Sequence, residues 1–244
     1  MAPEVLWILT AAVFAVAILY SSVGHAGASG YIAVMSLLSV APAEIKPIAL
    51  ALNILVASIG TWQFWRAGHF SWQLFWPFAL LAVPFAFVGG YLHLPSHLFK
   101  VLVGIILLLA AVQFLLHPPA ESETRPPPRL LAVGLGGALG LLSGLTGTGG
   151  GIFLTPLLIT LRWARVRSAA AVSAPFILLN SAAGLAGNYS AAMSFPAFAW
   201  ALVIAAVIGG TIGSWFGSRR LPQTAIKRLL ALVLTIAGFK LILT

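Results

Sequence analysis

The 244-residue chain has no cysteine and no aspartate, and charged residues of both signs make up only 7% of it. Without cysteine there are no disulfides, thiolate metal sites or cysteine nucleophiles. The acidic side chains are Glu4, Glu44, Glu121 and Glu123, each near a terminus, a helix start or the central linker. A cation carrier or proton pump usually places a carboxylate at mid-membrane, and this sequence has none to place there. That points to an anionic or neutral substrate. A soluble domain would carry about a quarter charged residues. Here 61% of residues are hydrophobic and the mean hydropathy is +1.06. The chain therefore reads as an all-α integral membrane protein with the lipid bilayer as its main partner.

The net charge of +9 does not indicate a nucleic-acid partner. The Lys and Arg residues cluster between apolar segments, as basic cytoplasmic loops do. No Lys or Arg precedes Lys46, and a cleavable signal needs a positive n-region, so none is expected. Nothing implies a metal or a cofactor.

Apolar segments run at roughly 5–22, 30–41, 45–65, 72–92, 98–116, 130–143, 150–161, 168–187, 195–217 and 225–243. Several are about 20 residues long, enough for a hydrocarbon core of about 30 Å. Segments 30–41 and 150–161 are too short to span alone, and each follows a glycine tract: VGHAGASG at 23–30 and GLTGTGGG at 144–151. The Pro-rich stretch 118–129 separates a first repeat, 1–117, from a second, 130–244. LPSHLFK at 94–100 aligns with LPQTAIK at 221–227, placing Lys100 opposite Lys227. Gly24, Gly27 and Gly30 align with Gly144, Gly147 and Gly150. Internal duplication is a common construction of secondary transporters.

Counting each tract with its flanking arms as one broken span gives about eight spans, four per repeat, with the repeats parallel. Lys46, Lys100, Arg162, Arg165, Arg167, Arg219, Arg220, Lys227 and Arg228 then share one face. Arg66, Arg125, Arg129 and Lys240 take the other. The first group reads as cytoplasmic and both termini as outside. Counting every arm as a crossing instead gives five per half and inverted repeats.

Non-helical backbone at membrane depth must line a cavity or be buried in protein. Glycine allows positive φ and close approach to a ligand. Where a helix restarts, its first N–H groups lack internal acceptors and carry the positive dipole end, a seat for an anion. Donors around the breaks are Ser21, Ser22, His25 and Ser29 in the first half, and Ser143, Thr146 and Thr148 in the second. Asn53 and Asn180 fall within spans and either bond between helices or face the substrate. His25 is either a packing residue or a ligand or proton relay. Trp65, Trp72 and Trp76 read as interfacial anchors.

The runs SSVGHAGASGY and LSGLTGTGGGI, with the two four-helix halves, resemble the TauE/SafE sulfite exporter family, also called the toluene sulfonate uptake permeases. The resemblance covers essentially the whole chain. It implies transport of sulfite, sulfonates or other organic anions across a bacterial cytoplasmic (inner) membrane, by export in some members and uptake in others. Carried over, the candidate site residues are Gly24, Gly27, Ser29 and Gly30, with Gly147, Thr148, Gly149, Gly150 and Gly151. The residues alone add Ser22, His25, Asn53, Ser143, Gly144, Thr146 and Asn180. Ser29 and Tyr31 stand where the second half has Gly149 and Gly151, a departure from site symmetry.

The expected function is secondary transport of a small anion, sulfite or an organosulfonate first, with no catalytic residues. A homodimer is compatible with this. Two other readings stand beside it. Gly27-Ala28-Ser29-Gly30 reads as the G-x-S-G motif of rhomboid-like intramembrane serine proteases, which also requires a histidine within reach of the serine. An anion channel would use the same glycine-lined constriction without alternating access.

Overall fold

A computed structural model describes residues 3–92, 124–188 and 196–219, with individual positions between 95 and 112 and between 228 and 242. Among the described residues all regular structure is helical: α1 Pro3–Ser22, α2 Ala28–Leu37, α3 Pro42–Arg66, α4 Trp72–Tyr91, α5 Arg129–Thr146, α6 Gly151–Thr160, α7 Val166–Gly187 and α8 Ala199–Arg219. Six of these, all but α2 and α6, are long and apolar enough to cross a membrane. Pro42 opens α3 where its missing N–H costs nothing, and Ser71 caps α4 by accepting from Leu74 N–H at 3.4 Å. The Leu-Pro-x-x-x-x-Lys match at Lys100 and Lys227 lies outside the described residues.

Two glycine stripes set how the long helices pair. A Cβ on Gly136, Gly140 or Gly144 of α5 would strike the backbone of Phe78, Ala82 or Ala86 of α4. Matching numbers rise together, so α4 and α5 run parallel. Gly209, Gly213 and Gly217 of α8 bear in the same way on Phe14, Ile18 and Ser22 of α1, again parallel. Small residues at every fourth position let helix backbones approach this closely. Helix α3 runs antiparallel to α7: Gly60 faces Ala174, and Asn53 faces Ser181.

These pairings fix what lies at each end of the bundle. Lys46, one turn into α3, donates from Nζ to the carbonyls of Gly89 and Gly90 at the end of α4. The starts of α1 and α3 therefore share one end, the amino end, with the ends of α4 and α5. At the other, the linker end, Arg125 N–H donates to Arg162 carbonyl at 2.9 Å. The indole of Trp163 lies 6.1 Å from the ring of Phe78. Burial pushes the His69 pKa down, and Arg167 pushes it further in the same direction.

This corrects the sequence-based division of the basic residues. Arg162, Arg165 and Arg167 lie at the same end as Arg66, Arg125 and Arg129, not opposite them, and Lys46 lies at the other end. The reason is the path of the first half. Gly24 at the end of α1 rests on Ala170 near the start of α7, and Gly30 of α2 packs back on Val16 and Tyr20. So α1 crosses from the amino end, the chain turns, and α2 returns toward the end it came from. The path is a hairpin, where the sequence reading had a single interrupted span.

Candidate functional site

The chain leaves the helix between Ser22 and Ala28, and again between Thr146 and Gly151. Gly24 (φ 77°) and Gly27 (φ 106°) are left-handed in the first break; Gly147 (75°), Gly149 (76°) and Gly150 (80°) are in the second. L side chains resist these angles, which accounts for glycine at each. Gly27 and Gly150 are the N-cap residues of α2 and α6.

Backbone bonds repeat between the two stretches with a constant offset. Tyr31 N–H to Gly27 carbonyl matches Leu154 N–H to Gly150 carbonyl. The three bonds closing α2 (Leu38 to Val34, Ser39 to Ser36, Val40 to Met35) match those closing α6 (Leu161 to Leu157, Arg162 to Ile159, Trp163 to Leu158). Ser39 and Arg162, left-handed without being glycine, are matched as well. Gly24 therefore pairs with Gly147 and Gly27 with Gly150. That register is three residues from the sequence alignment that set Gly27 against Gly147 and Gly30 against Gly150.

The two breaks meet at the centre. Asn53 of α3, fully buried, accepts from Ala28 N–H at 3.0 Å and donates from Nδ2 to Ser181 Oγ at 3.2 Å. Gly149 of the second break is pressed against that same Nδ2 and Ser181 Oγ. From the first break, His25 Nε2 reaches Thr155 Oγ1 at 2.8 Å, and Thr155 donates to Ser173 Oγ at 2.7 Å. Gly151 sits between Ile177 and the His25 ring.

The second break differs from the first in what it leaves unsatisfied. Asn180 is fully buried, and neither amide atom has a hydrogen-bond partner among the described residues; Ser143 Oγ, also fully buried, has none either. A Cβ on Gly150 would lie 3.3 Å from Ser143 Cβ and 3.5 Å from Asn180 Nδ2. The N–H groups of Gly151 and Ile152 open α6 there and have no intrahelical acceptor. Leaving a buried amide unpaired costs about 1–3 kcal/mol per group. This cluster therefore keeps unspent hydrogen-bonding capacity inside the fold.

Other candidates are engaged elsewhere. Ser22 donates to Leu19 carbonyl, and Thr146 donates to Leu142 carbonyl and meets Thr148 Oγ1 at 2.9 Å. Gly144 packs in the α4–α5 seam and Gly30 in the α1–α2 seam, so both serve close packing. Ser29 donates to Tyr20 hydroxyl at 3.1 Å, and among the described residues no histidine pairs with it in the serine-protease arrangement. Ser21 Oγ is buried without a partner among the described residues.

Sequence reasoning missed Thr155, Ser173, Ser181, Tyr20 and Lys46. The first four are ordinary small or aromatic residues in apolar helices and carry no local signal. Lys46 was placed among the basic residues of the cytoplasmic face, yet its stem lies against Gly147 of the second break.

Asn53 is expected to act in stability. Asn53→Leu orphans Ala28 N–H and Ser181 Oγ, and should lower the free energy of unfolding by about 2 kcal/mol. Thermal unfolding in detergent checks this, and an unchanged midpoint would contradict the hydrogen-bonding role.

The family model described as Sulfite exporter TauE/SafE matches residues 9–241. The probable membrane transporter protein y4hK of Sinorhizobium fredii (strain NBRC 101917 / NGR234) is 40% identical over 239 residues, covering 96% of this chain and 97% of that protein. No solved structure matches the chain.

Proposed function

The chain belongs to the TauE/SafE sulfite exporter family and is a multi-pass membrane transporter; from that premise we propose that it carries small oxyanions, sulfite or an organosulfonate first, through a site between its two glycine breaks. The observation that carries this reading is the buried trio of Asn180, Ser143 and left-handed Gly150 at the start of α6. Hydroxyl, carboxamide and helix-terminal N–H donors suit a tetrahedral or pyramidal anion. Lys46 of α3, packed against Gly147 of the second break, adds positive charge without direct ligation.

The two halves act as inverted repeats, 1–117 and 130–244 about the 118–129 linker, each with three described long helices and a half-length helix. Support comes from the constant backbone offset and the exchanged pairings, α1 with α8 and α4 with α5. The first break opens toward the linker end at Ala170, the second toward the amino end at Lys46. Inverted repeats around one central site are the usual basis for alternating access. Arg66, Arg125, Arg129, Arg162, Arg165, Arg167 and Arg219 make the linker end cytoplasmic by the positive-inside rule, in a bacterial inner membrane with the amino terminus outside. His25, Thr155 and Ser173 supply a hydrogen-bonded chain through which a proton can accompany the anion.

Labelled-anion flux into proteoliposomes tests this. Sulfite or a sulfonate should show saturable counterflow and outcompete sulfate and carboxylates. Conductance without saturable counterflow would make the protein a channel, and no saturable flux of any anion would end the proposal.

A further inference from the structure

At the linker end a cavity of about 310 Å³ opens between the loop before α4, the residues before α5 and the loop between α6 and α7. Ser71, Thr124, Arg125, Trp163, Arg165 and Ser168 line it, and among the described residues no acidic side chain does. Two arginines thus face one cavity of the size that small ligands fill. The starts of α4 at Trp72, α5 at Arg129 and α7 at Val166 all lie within a few residues of it in sequence, so three positive helix ends reinforce the guanidinium charge. The acidic residues of the described structure, Glu4 and Glu44, open α1 and α3 at the opposite end.

The cavity is built into the fold. Arg125 is tied to Arg162 carbonyl by its backbone N–H, which leaves its side chain free of that duty. Arg162 holds a left-handed φ of 56° and turns the chain so that Trp163 to Arg165 form one wall.

Its depth marks the kind of ligand. Trp65 and Trp72 at the same end of the bundle are 62% and 64% exposed, and Leu130 on the first turn of α5 is 91% exposed. Tryptophans at a helix end mark the headgroup level, and an exposed leucine there faces acyl chains. A cationic cavity opening at that level meets lipid phosphate before it meets dissolved anions. We propose that this cavity binds the phosphate-bearing headgroup of an acidic phospholipid, with Arg125 and Arg165 on the phosphate and Ser71, Thr124 and Ser168 hydrogen-bonding its oxygens or the headgroup hydroxyls. Guanidinium pairs such as these are suited to phosphate. The site is separate from the glycine breaks and does not depend on what crosses there.

The test uses the full chain purified in mild detergent. Phosphatidylglycerol is titrated against the wild type and Arg125→Gln/Arg165→Gln, followed by native mass spectrometry and by thermal unfolding. Phosphatidylcholine, inorganic phosphate and glycerol 3-phosphate are the comparison arms. Phosphatidylglycerol should stay bound to the wild type and raise its unfolding midpoint. The double variant should lose about tenfold or more in affinity for it. Phosphatidylcholine and the soluble phosphates should have little effect. If the double variant fails to fold, Arg125→Lys/Arg165→Lys replaces it and should bind with intermediate affinity.

Equal retention of phosphatidylglycerol by the wild type and the variants would overturn the proposal. Equal stabilisation by inorganic phosphate would also overturn it, making this a site for a dissolved anion. Glu121→Gln/Glu123→Gln should bind phosphatidylglycerol at least as well as wild type. Binding seen only in that variant would mean that the linker carboxylates fill the cavity, and would overturn the assignment to lipid.

Discussion

Asn180→Leu is expected to abolish saturable anion flux, a loss of at least tenfold, while leaving the unfolding midpoint unchanged or higher. The two halves of this expectation have one cause. Asn180 is fully buried with neither amide atom paired among the described residues, so in the empty protein it carries a desolvation penalty of about 1–3 kcal/mol. Leucine of similar size removes that penalty. It also removes a donor that an anion beside Gly150 would need, and a site built on hydrogen bonds loses them without compensation. Asn53 gives the opposite pattern, because its amide is spent on Ala28 and Ser181. Flux assays and thermal unfolding on both variants check the contrast. Equal destabilisation of the two would show Asn180 to be a structural amide as well.

The second large effect is expected from Gly150→Ala, with flux falling to background. The backbone at φ 80° costs an L residue about 1–2 kcal/mol. The added methyl would lie 2.9 Å from Phe176, 3.3 Å from Ser143 Cβ and 3.5 Å from Asn180 Nδ2. The strain lowers stability, and the methyl would occupy the proposed anion seat. Gly68→Ala separates the two contributions: Gly68 is equally left-handed at φ 75°, but its Cβ meets nothing within 4 Å. That variant should lose similar stability and keep its flux. If Gly150→Ala transports at the wild-type rate, the space beside Gly150 is not the route.

The sequence made the membrane class and the two breaks legible for simple reasons. Few charges and long apolar runs leave no other class, and left-handed turns within membrane helices need glycine. The register between the breaks was not legible. Gly24, Gly27 and Gly30 are spaced by three, as are Gly144, Gly147 and Gly150, so sliding one run by three still matches glycine to glycine. Only the sign of φ separates them: Gly27 and Gly150 are left-handed, whereas Gly30 and Gly144 are helical and pack in seams. Sidedness failed for a related reason. Segment 5–22 is long enough to cross alone, and nothing local says whether the next arm continues or returns. The contact of Gly30 with Val16 and Tyr20 decides that, and it depends on tertiary packing. The partnership of Asn53 and the lack of one at Asn180 likewise depend on residues far away in the chain.

Equilibrium binding of radiolabelled sulfite to the purified protein addresses the anion seat most directly, since it needs no gradient and no turnover. One saturable site is expected in the wild type, weakened at least tenfold in Asn180→Leu and in Gly150→Ala and retained in Ser29→Ala. Wild-type affinity in Asn180→Leu, with Ser29→Ala losing the site instead, would contradict it.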